Sequence, residues 1–233
     1  MIDLRESFGA ALRPMMLVTT LGLAACGGGG ATTPATEEPD IPTPTNPTPG
    51  TPTPPTPAPT PGVAQTGAQM RNGATGLVGD FTPITYTALG SVPTSGSATY
   101  NGYLYGNLAN RSDAVTDSVI GQMAMQVGFT ATSVTISGNV TDFVDASDAA
   151  MAGSLTLSNG SLNRNGNPAG DATLTVSANG TLTDSANRAL AVGVQLEGDF
   201  LGGSYGGVGG EALGKVSVNG ADQDFDGGFV GAR

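Results

Sequence analysis

The chain has 233 residues, with 8 Lys+Arg against 19 Asp+Glu, a net charge of −11, no His, no Trp and a single Cys. Without His there is no Ser-His-Asp, Cys-His or imidazole–metal chemistry, and one Cys makes neither an internal disulfide nor a Cys-rich zinc or iron–sulfur site. The acidic balance, with Lys215 as the only lysine, repels phosphate backbones and excludes nucleic acid as an expected partner.

Arg5 and Arg13 supply positive charge near the start, followed by an 11-residue apolar run from Met15 to Ala25. Such a run is too short to span a bilayer, which takes about 20 residues, and matches the ~7–15 residues of a secretory signal. It ends in Leu23-Ala24-Ala25-Cys26-Gly27, which resembles the bacterial lipobox recognised by signal peptidase II. The resemblance implies a signal peptide over 1–25, lipidation of the Cys26 sulfur, cleavage before Cys26 and acylation of the freed amine. Each buried CH₂ contributes ~0.8 kcal/mol, so several acyl chains anchor where one holds only marginally. By resemblance to enterobacterial sorting rules, Gly27 in place of Asp lacks the usual inner-membrane retention signal, which implies outer-membrane delivery.

Residues 26–62 read as a stalk. Between Pro34 and Pro61, 28 residues contain 12 of the 16 prolines. Each proline fixes φ near −65° and turns the preceding residue away from helix. Apart from Ile41 and two alanines the segment has no apolar side chain. It is expected to be disordered, extended and solvated as polyproline II, reaching ~90 Å at ~3.1 Å per residue. A semi-rigid spacer is the preferred reading over a Pro-rich ligand for an aromatic groove.

The remaining 63–233 read as one β domain. Residues 63–96 are transitional, with a short candidate strand at Thr85-Tyr86-Thr87, breakers at Pro83 and Pro93, and no evident amphipathic helix of three turns. From about 98 onward, apolar residues alternate with polar ones: Val134, Ile136 and Val140; Met123, Met125, Val127 and Phe129; Leu190, Val192, Val194, Leu196 and Phe200. This period of two predicts half-buried strands. Asn-Gly pairs are the strongest short hairpin signal. Those at 159–160, 179–180 and 219–220 predict turns, whereas Asn101-Gly102 lies inside a run and predicts a bulge. Eight or nine strands are expected, roughly 97–108, 119–129, 133–143, 153–158, 171–177, 180–184, 190–201, 206–218 and 224–231. Many short antiparallel strands suit a closed barrel or a sandwich. The strand glycines Gly138, Gly198, Gly214 and Gly231 favour tight curvature, so an up-and-down antiparallel barrel of about eight strands is preferred.

Three C-terminal segments, Leu196-Glu197-Gly198-Asp199-Phe200-Leu201-Gly202, Gly210-Glu211-Ala212-Leu213-Gly214 and Gly228-Phe229-Val230-Gly231-Ala232, occur in that order. Together with Ala98-Thr99-Tyr100-Asn101-Gly102 they resemble the barrel of transferrin-binding protein B. The positions carrying the resemblance are Tyr100, Gly102, Gly198, Phe200, Gly202, Glu211, Gly214, Phe229 and Gly231. Leu213 stands where a second glycine is common, and Val216 where Phe is usual. The resemblance implies an eight-stranded barrel on a surface lipoprotein and does not extend to transferrin as ligand.

Candidate chemistry is sparse. Asp222-Gln223-Asp224-Phe225-Asp226-Gly227 opens like a calcium loop. Its twelfth position, however, is Arg233 rather than Glu, and an acidic strand edge is the preferred reading over a metal site at Asp222, Asp224 and Asp226. Asp142, Asp145 and Asp148 read as a solvated loop. Gly206–Gly210 reads as a hairpin, not a phosphate loop. Tyr103 and Tyr105 share a face, as packing residues in preference to an interaction surface or haem contact, and Met123 and Met125 read as core filler. Glu211 has no carboxylate partner recognisable by spacing, so neither catalytic residues nor cofactors are expected and the chain reads as a non-enzyme. The expected function is a lipid-anchored, surface-exposed outer-membrane binding module for a protein or small-molecule ligand. The alternatives are a structural envelope lipoprotein without diffusible ligand, or an integral eight-stranded outer-membrane barrel.

Overall fold

The computed structural model describes residues 56–60, 62–109, 115–168 and 172–233. The signal segment, Leu23, Ala24, Ala25, Cys26 and the Pro/Thr stretch as far as residue 55 lie outside the described residues. Eight antiparallel strands form a closed barrel in which each pairs with its sequence neighbours. They are β1 (Ser97–Ala109), β2 (Val115–Phe129), β3 (Val134–Val144), β4 (Ala152–Leu162), β5 (Leu174–Thr183), β6 (Ala189–Leu201), β7 (Gly207–Val218) and β8 (Ala221–Ala232). Closure comes from β1 against β8, with Asn101 opposite Ala232 and Leu108 opposite Phe225. The up-and-down barrel expected from the alternation is therefore the architecture.

The alternation fills the interior. Tyr100, Leu104, Met123, Met125, Val140, Leu155, Leu157, Leu174, Leu196, Val216 and Phe229 form one continuous apolar core, each at most 1% exposed. Each such side chain contributes roughly 1.5–3 kcal/mol on burial. Along the middle of β3 and β6 the opposite parity faces outward and is polar: Thr135, Ser137 and Asn139 on β3, Gln195 and Glu197 on β6. Adjacent strands approach too closely for a side chain at some glycines. A Cβ on Gly102 would fall 1.9 Å from the Val230 carbonyl oxygen, and one on Gly227 2.0 Å from that of Tyr105.

Three local expectations are corrected. Residues 171–177 and 180–184 are not two strands: Asn179-Gly180 lies within the uninterrupted β5, in register with β4 and β6. Asn159-Gly160 is not a turn but an irregularity inside β4, where the pairing shifts between Ser158 and Ser161 and Asn159 takes φ +55°. Asn101-Gly102 makes no bulge, since β1 runs in unbroken register through it. Only Asn219-Gly220, with φ of +52° and +77°, forms a two-residue hairpin turn, closing Val218 against Ala221. Those two positive φ values are what a type I′ turn requires.

The larger correction lies before the barrel. Residues 67–80 form a 14-residue helix, α1 (Gly67–Asp80). Thr66 caps it: its hydroxyl accepts from the Gln69 N–H while the Gln69 side chain accepts from the Thr66 N–H. Met70, Ala74, Leu77 and Val78 form its buried stripe. They pack on the outside of the barrel against Tyr103, Tyr105, Ile120, Val144 and Val230. Tyr103 and Tyr105 do share a face, and that face is the outer wall beneath α1. Of Thr85-Tyr86-Thr87, only Tyr86 makes a bridge, to Leu201.

Candidate functional site

The two ends of the barrel differ. One carries the β2–β3, β4–β5 and β6–β7 connections and is capped. There Val92 is 2% exposed within the core, and the Arg164 guanidinium donates to the carbonyls of Val92 (3.2 Å), Pro93 (2.5 Å) and Thr130 (3.0 Å). Tyr100, Phe200, Phe129 and Tyr205 form a chain of ring contacts at 5.8–5.9 Å between centroids. The Tyr100 hydroxyl donates to the Tyr205 carbonyl at 3.0 Å, and Arg233 lies 4.7 Å over the Tyr205 ring. Burial pushes the Tyr100 hydroxyl far above the ordinary phenol range, opposed by the nearby Arg233 charge.

The motif positions of the sequence spread along the barrel, several of them at this end. Tyr100, Phe200 and Phe229 point inward. Gly198 is confined by the Gly209 carbonyl and the Phe229 ring, Gly214 by the Gly193 carbonyl, and Gly231 by Met123 and Tyr100. Gly202 has φ +76° at the β6–β7 turn. Glu211 is the exception. It faces outward, directly opposite Glu197 on β6, a carboxylate neighbour that spacing along the chain does not reveal. The pair stands on the outer wall, with Glu197 exposed.

Asp222, Asp224 and Asp226 occupy alternate positions of β8, and Phe225 and Phe229 between and beyond them point inward. An extended strand cannot wrap an ion as a calcium loop does. Lys215 pairs with Asp224 at 2.8 Å. Among the described residues no group of three His, Cys, Asp or Glu side chains is placed to hold a metal.

Among the described connections, the other end carries β3–β4, β5–β6 and β7–β8. The first two are built alike, from Asp145-Ala146-Ser147-Asp148-Ala149 and Asp184-Ser185-Ala186-Asn187-Arg188. In each, the first Asp N–H donates to the fifth residue's carbonyl, and the fourth residue, at φ +65° or +57°, donates back to the first. The Asp145 Oδ1 accepts from Ser147 Oγ (2.7 Å), Ser147 N (2.8 Å) and Ala149 N (2.9 Å). The Asp184 Oδ1 accepts from Ala186 N (3.0 Å) and Arg188 N (2.8 Å), and its Oδ2 from Arg188 Nε (2.6 Å). These bonds hold both carboxyls below the usual carboxylate range, led by the Ser147 hydroxyl for Asp145 and the Arg188 N–H for Asp184. Asp148 pairs with Arg71 of α1, and Asp142 takes φ +54° where the β2–β3 register shifts. The acidic triplet thus does three separate jobs.

Between the two turns lies a cleft of about 240 Å³, with Asp145 and Asp184 on its walls and Leu108, Met151, Leu190 and Val218 among its apolar lining. Sequence reasoning missed Asp184 and Arg188; the repeated Asp-x-x-(Asp/Asn) turn pattern is the signal that marks them. Compared with known proteins, the chain matches no family model, no curated protein and no solved structure.

Proposed function

We propose that this chain is a lipid-anchored outer-membrane lipoprotein, attached through Cys26 and displayed on the cell surface, whose barrel is a binding module for a protein or small ligand. One observation carries the reading: the barrel is apolar inside, and its outer wall, apart from the patch covered by α1, is largely polar. A membrane-spanning barrel has the opposite arrangement, an apolar outer band with aromatic girdles. Here the outer positions of β3, β4 and β5 are Thr, Ser and Asn, with Thr135, Ser137, Thr156 and Thr181 exposed. Transferring such a wall into hydrocarbon strips water from its hydroxyls and amides, at a cost of several kcal/mol per group without a partner. A domain of this kind is at home in water and needs a separate tether to stay at a membrane. The lipobox resemblance at Leu23-Ala24-Ala25-Cys26, followed by a Pro/Thr-rich stretch, provides one. The resemblance to transferrin-binding protein B supports the same class. Loops being where rigid scaffolds carry their binding residues, recognition belongs to a barrel end rather than to the filled interior.

The test is Cys26→Ala. Wild-type protein is expected in the detergent phase of a phase separation, with a mass at its N-terminus that includes acyl chains, and the variant in the aqueous phase. A variant that still partitions with membranes and survives extraction refutes the tether and favours an integral barrel. Protease treatment of intact cells that leaves the barrel untouched refutes surface display.

A further inference from the structure

We propose that the cleft between the β3–β4 and β5–β6 turns is a docking site for a lysine or arginine side chain of a partner protein. This deepens the binding-module reading and rests on it for the existence of a partner. The size of the cleft sets the class of occupant. At about 240 Å³ it falls below the ~300–1,000 Å³ of pockets that hold whole small molecules, and it suits one long side chain. Nothing larger can go deeper. Leu108, Met151 and Leu190, which line the cleft, also border the void in the barrel interior beneath it, and that void holds only about 10 Å³.

The lining sets the chemistry. An apolar floor below two carboxylates matches a side chain with a methylene stem and a cationic head. Among the described residues Asp145 and Asp184 oppose a single guanidinium, that of Arg188, already bonded through Nε to Asp184. Asp145 uses only Oδ1 to close its turn. Among the described residues its Oδ2 has no hydrogen-bond partner, which leaves one charged acceptor at the cleft. The turns that present these groups are closed by the same pattern of backbone bonds, so both are rigid before a partner arrives, which limits the entropy lost on docking.

The described segment before the barrel begins at the end opposite the cleft. The N-terminus of α1 is at the cleft end, where Gly67 abuts Val144 and Asp148. Its C-terminus is at the capped end, where the Phe81 ring abuts Gly207. The segment before α1 runs back along it, so that Thr56 N donates to Asp80 Oδ2 at 2.6 Å. Thr56 therefore lies beside the capped end, at the opposite end of the barrel from the cleft.

The experiment uses full-length lipidated protein in detergent micelles, with methyl-labelled Met, Leu and Val, titrated with acetyl-Leu-Arg-Leu-amide. The expected result is a saturable shift of the Met151, Leu190 and Val218 methyls. The citrulline analogue, which is neutral and nearly isosteric, is expected to bind about tenfold more weakly, as is the arginine peptide to Asp145→Asn, since a charge-assisted bond is lost in each case. Asn at 145 keeps the Oδ1 acceptor that closes the turn. Ala186→Trp, which fills the cleft from its rim, is expected to abolish the shifts. Equal binding of the citrulline peptide, or shifts confined to other methyls, overturns the proposal. Equal shifts with spermidine overturn the assignment to a protein side chain. The mass at Cys26, measured on the same sample, reads the tether independently: lipidated protein with a silent cleft refutes the docking site alone.

Discussion

Gly73 and Gly79 lie on the same helix and should respond to alanine with opposite signs. In a free helix either replacement is favourable, by about 0.8–1 kcal/mol in the interior. Gly79 is exposed and a Cβ there meets nothing within 4 Å, so Gly79→Ala should stabilise the protein by about 0.5–1 kcal/mol. Gly73 faces the barrel. Its Cβ would fall 2.3 Å from the Tyr103 hydroxyl oxygen, 2.7 Å from Cζ and 2.9 Å from Cε2, against about 3.5–4.0 Å for a relaxed carbon contact. The Tyr103 ring cannot swing clear cheaply, because it is 1% exposed and its hydroxyl donates to Gln65 Oε1 at 3.0 Å. Overpacking of this kind costs about 1–3 kcal/mol, which exceeds the helix gain. Gly73→Ala should therefore destabilise by up to about 2 kcal/mol. Urea unfolding followed by circular dichroism measures both. In a Tyr103→Leu background the Gly73→Ala change should become neutral or favourable, giving a coupling energy that isolates the contact. If Gly73→Ala stabilises as much as Gly79→Ala, or if neither moves the midpoint, α1 is not seated on Tyr103 as a cooperative part of the barrel.

Gly220→Ala should cost about 1–2 kcal/mol, the penalty for an L residue held in the left-handed region, because Gly220 has φ +77° in the two-residue β7–β8 turn. An unchanged urea midpoint would mean that the turn is not type I′. Asp199 is 3% exposed and accepts from Thr173 N at 3.1 Å and Thr173 Oγ1 at 2.5 Å. Burial raises its pKa above the usual 3.8, and the Thr173 bonds oppose the shift without cancelling it. A raised folded-state value means that the folded protein holds the proton more tightly. This group's contribution is then fully present below pH 3.8 and is lost as pH rises through the raised value. Asp199→Asn keeps an Oδ1 acceptor and removes the titration. Its stability relative to wild type should therefore improve from pH 3 to pH 7 in thermal melts. A variant that loses ground over that range contradicts the burial argument.

Much of α1 is written in the chain but masked by composition. Four of its 14 residues are glycine (67, 73, 76 and 79), each costing roughly 1 kcal/mol relative to alanine in a helix interior. What marks the helix is finer: the Thr66…Gln69 capping box and the spacing of Met70, Ala74, Leu77 and Val78, which is one face of a helix. Two of the glycines that hide it, Gly67 and Gly73, follow from its docking, since neither has room for a side chain. The cleft is legible only in part. Asp145 and Asp184 are 39 residues apart, and nothing local links them. Closure of a meander does, because alternate hairpins necessarily emerge at the same end.

The Asn-Gly pairs show where a local signal needs a longer one. Inward positions keep their parity along an unbroken strand and switch it across a two-residue turn or a one-residue bulge. Across Asn101-Gly102 the inward residues remain even, from Tyr100 to Leu104, and across Asn179-Gly180 they remain even, from Ala178 to Leu182. Both strands therefore run straight through, despite turn-forming residues. Across Asn219-Gly220 the parity changes, from Val216 to Phe225, and across Asn159-Gly160 it changes again, from Leu157 to Leu162. Parity alone leaves turn and bulge as equals at these two sites. The residues downstream decide between them. Beyond residue 220 the chain offers Phe225 and Phe229 to a returning strand. Beyond residue 162 it offers Asn163-Arg164-Asn165-Gly166-Asn167-Pro168, with no apolar residue for the interior. A hairpin there would leave its second strand with Leu162 alone to bury, so β4 absorbs the extra residue as a bulge and turns only after Leu162.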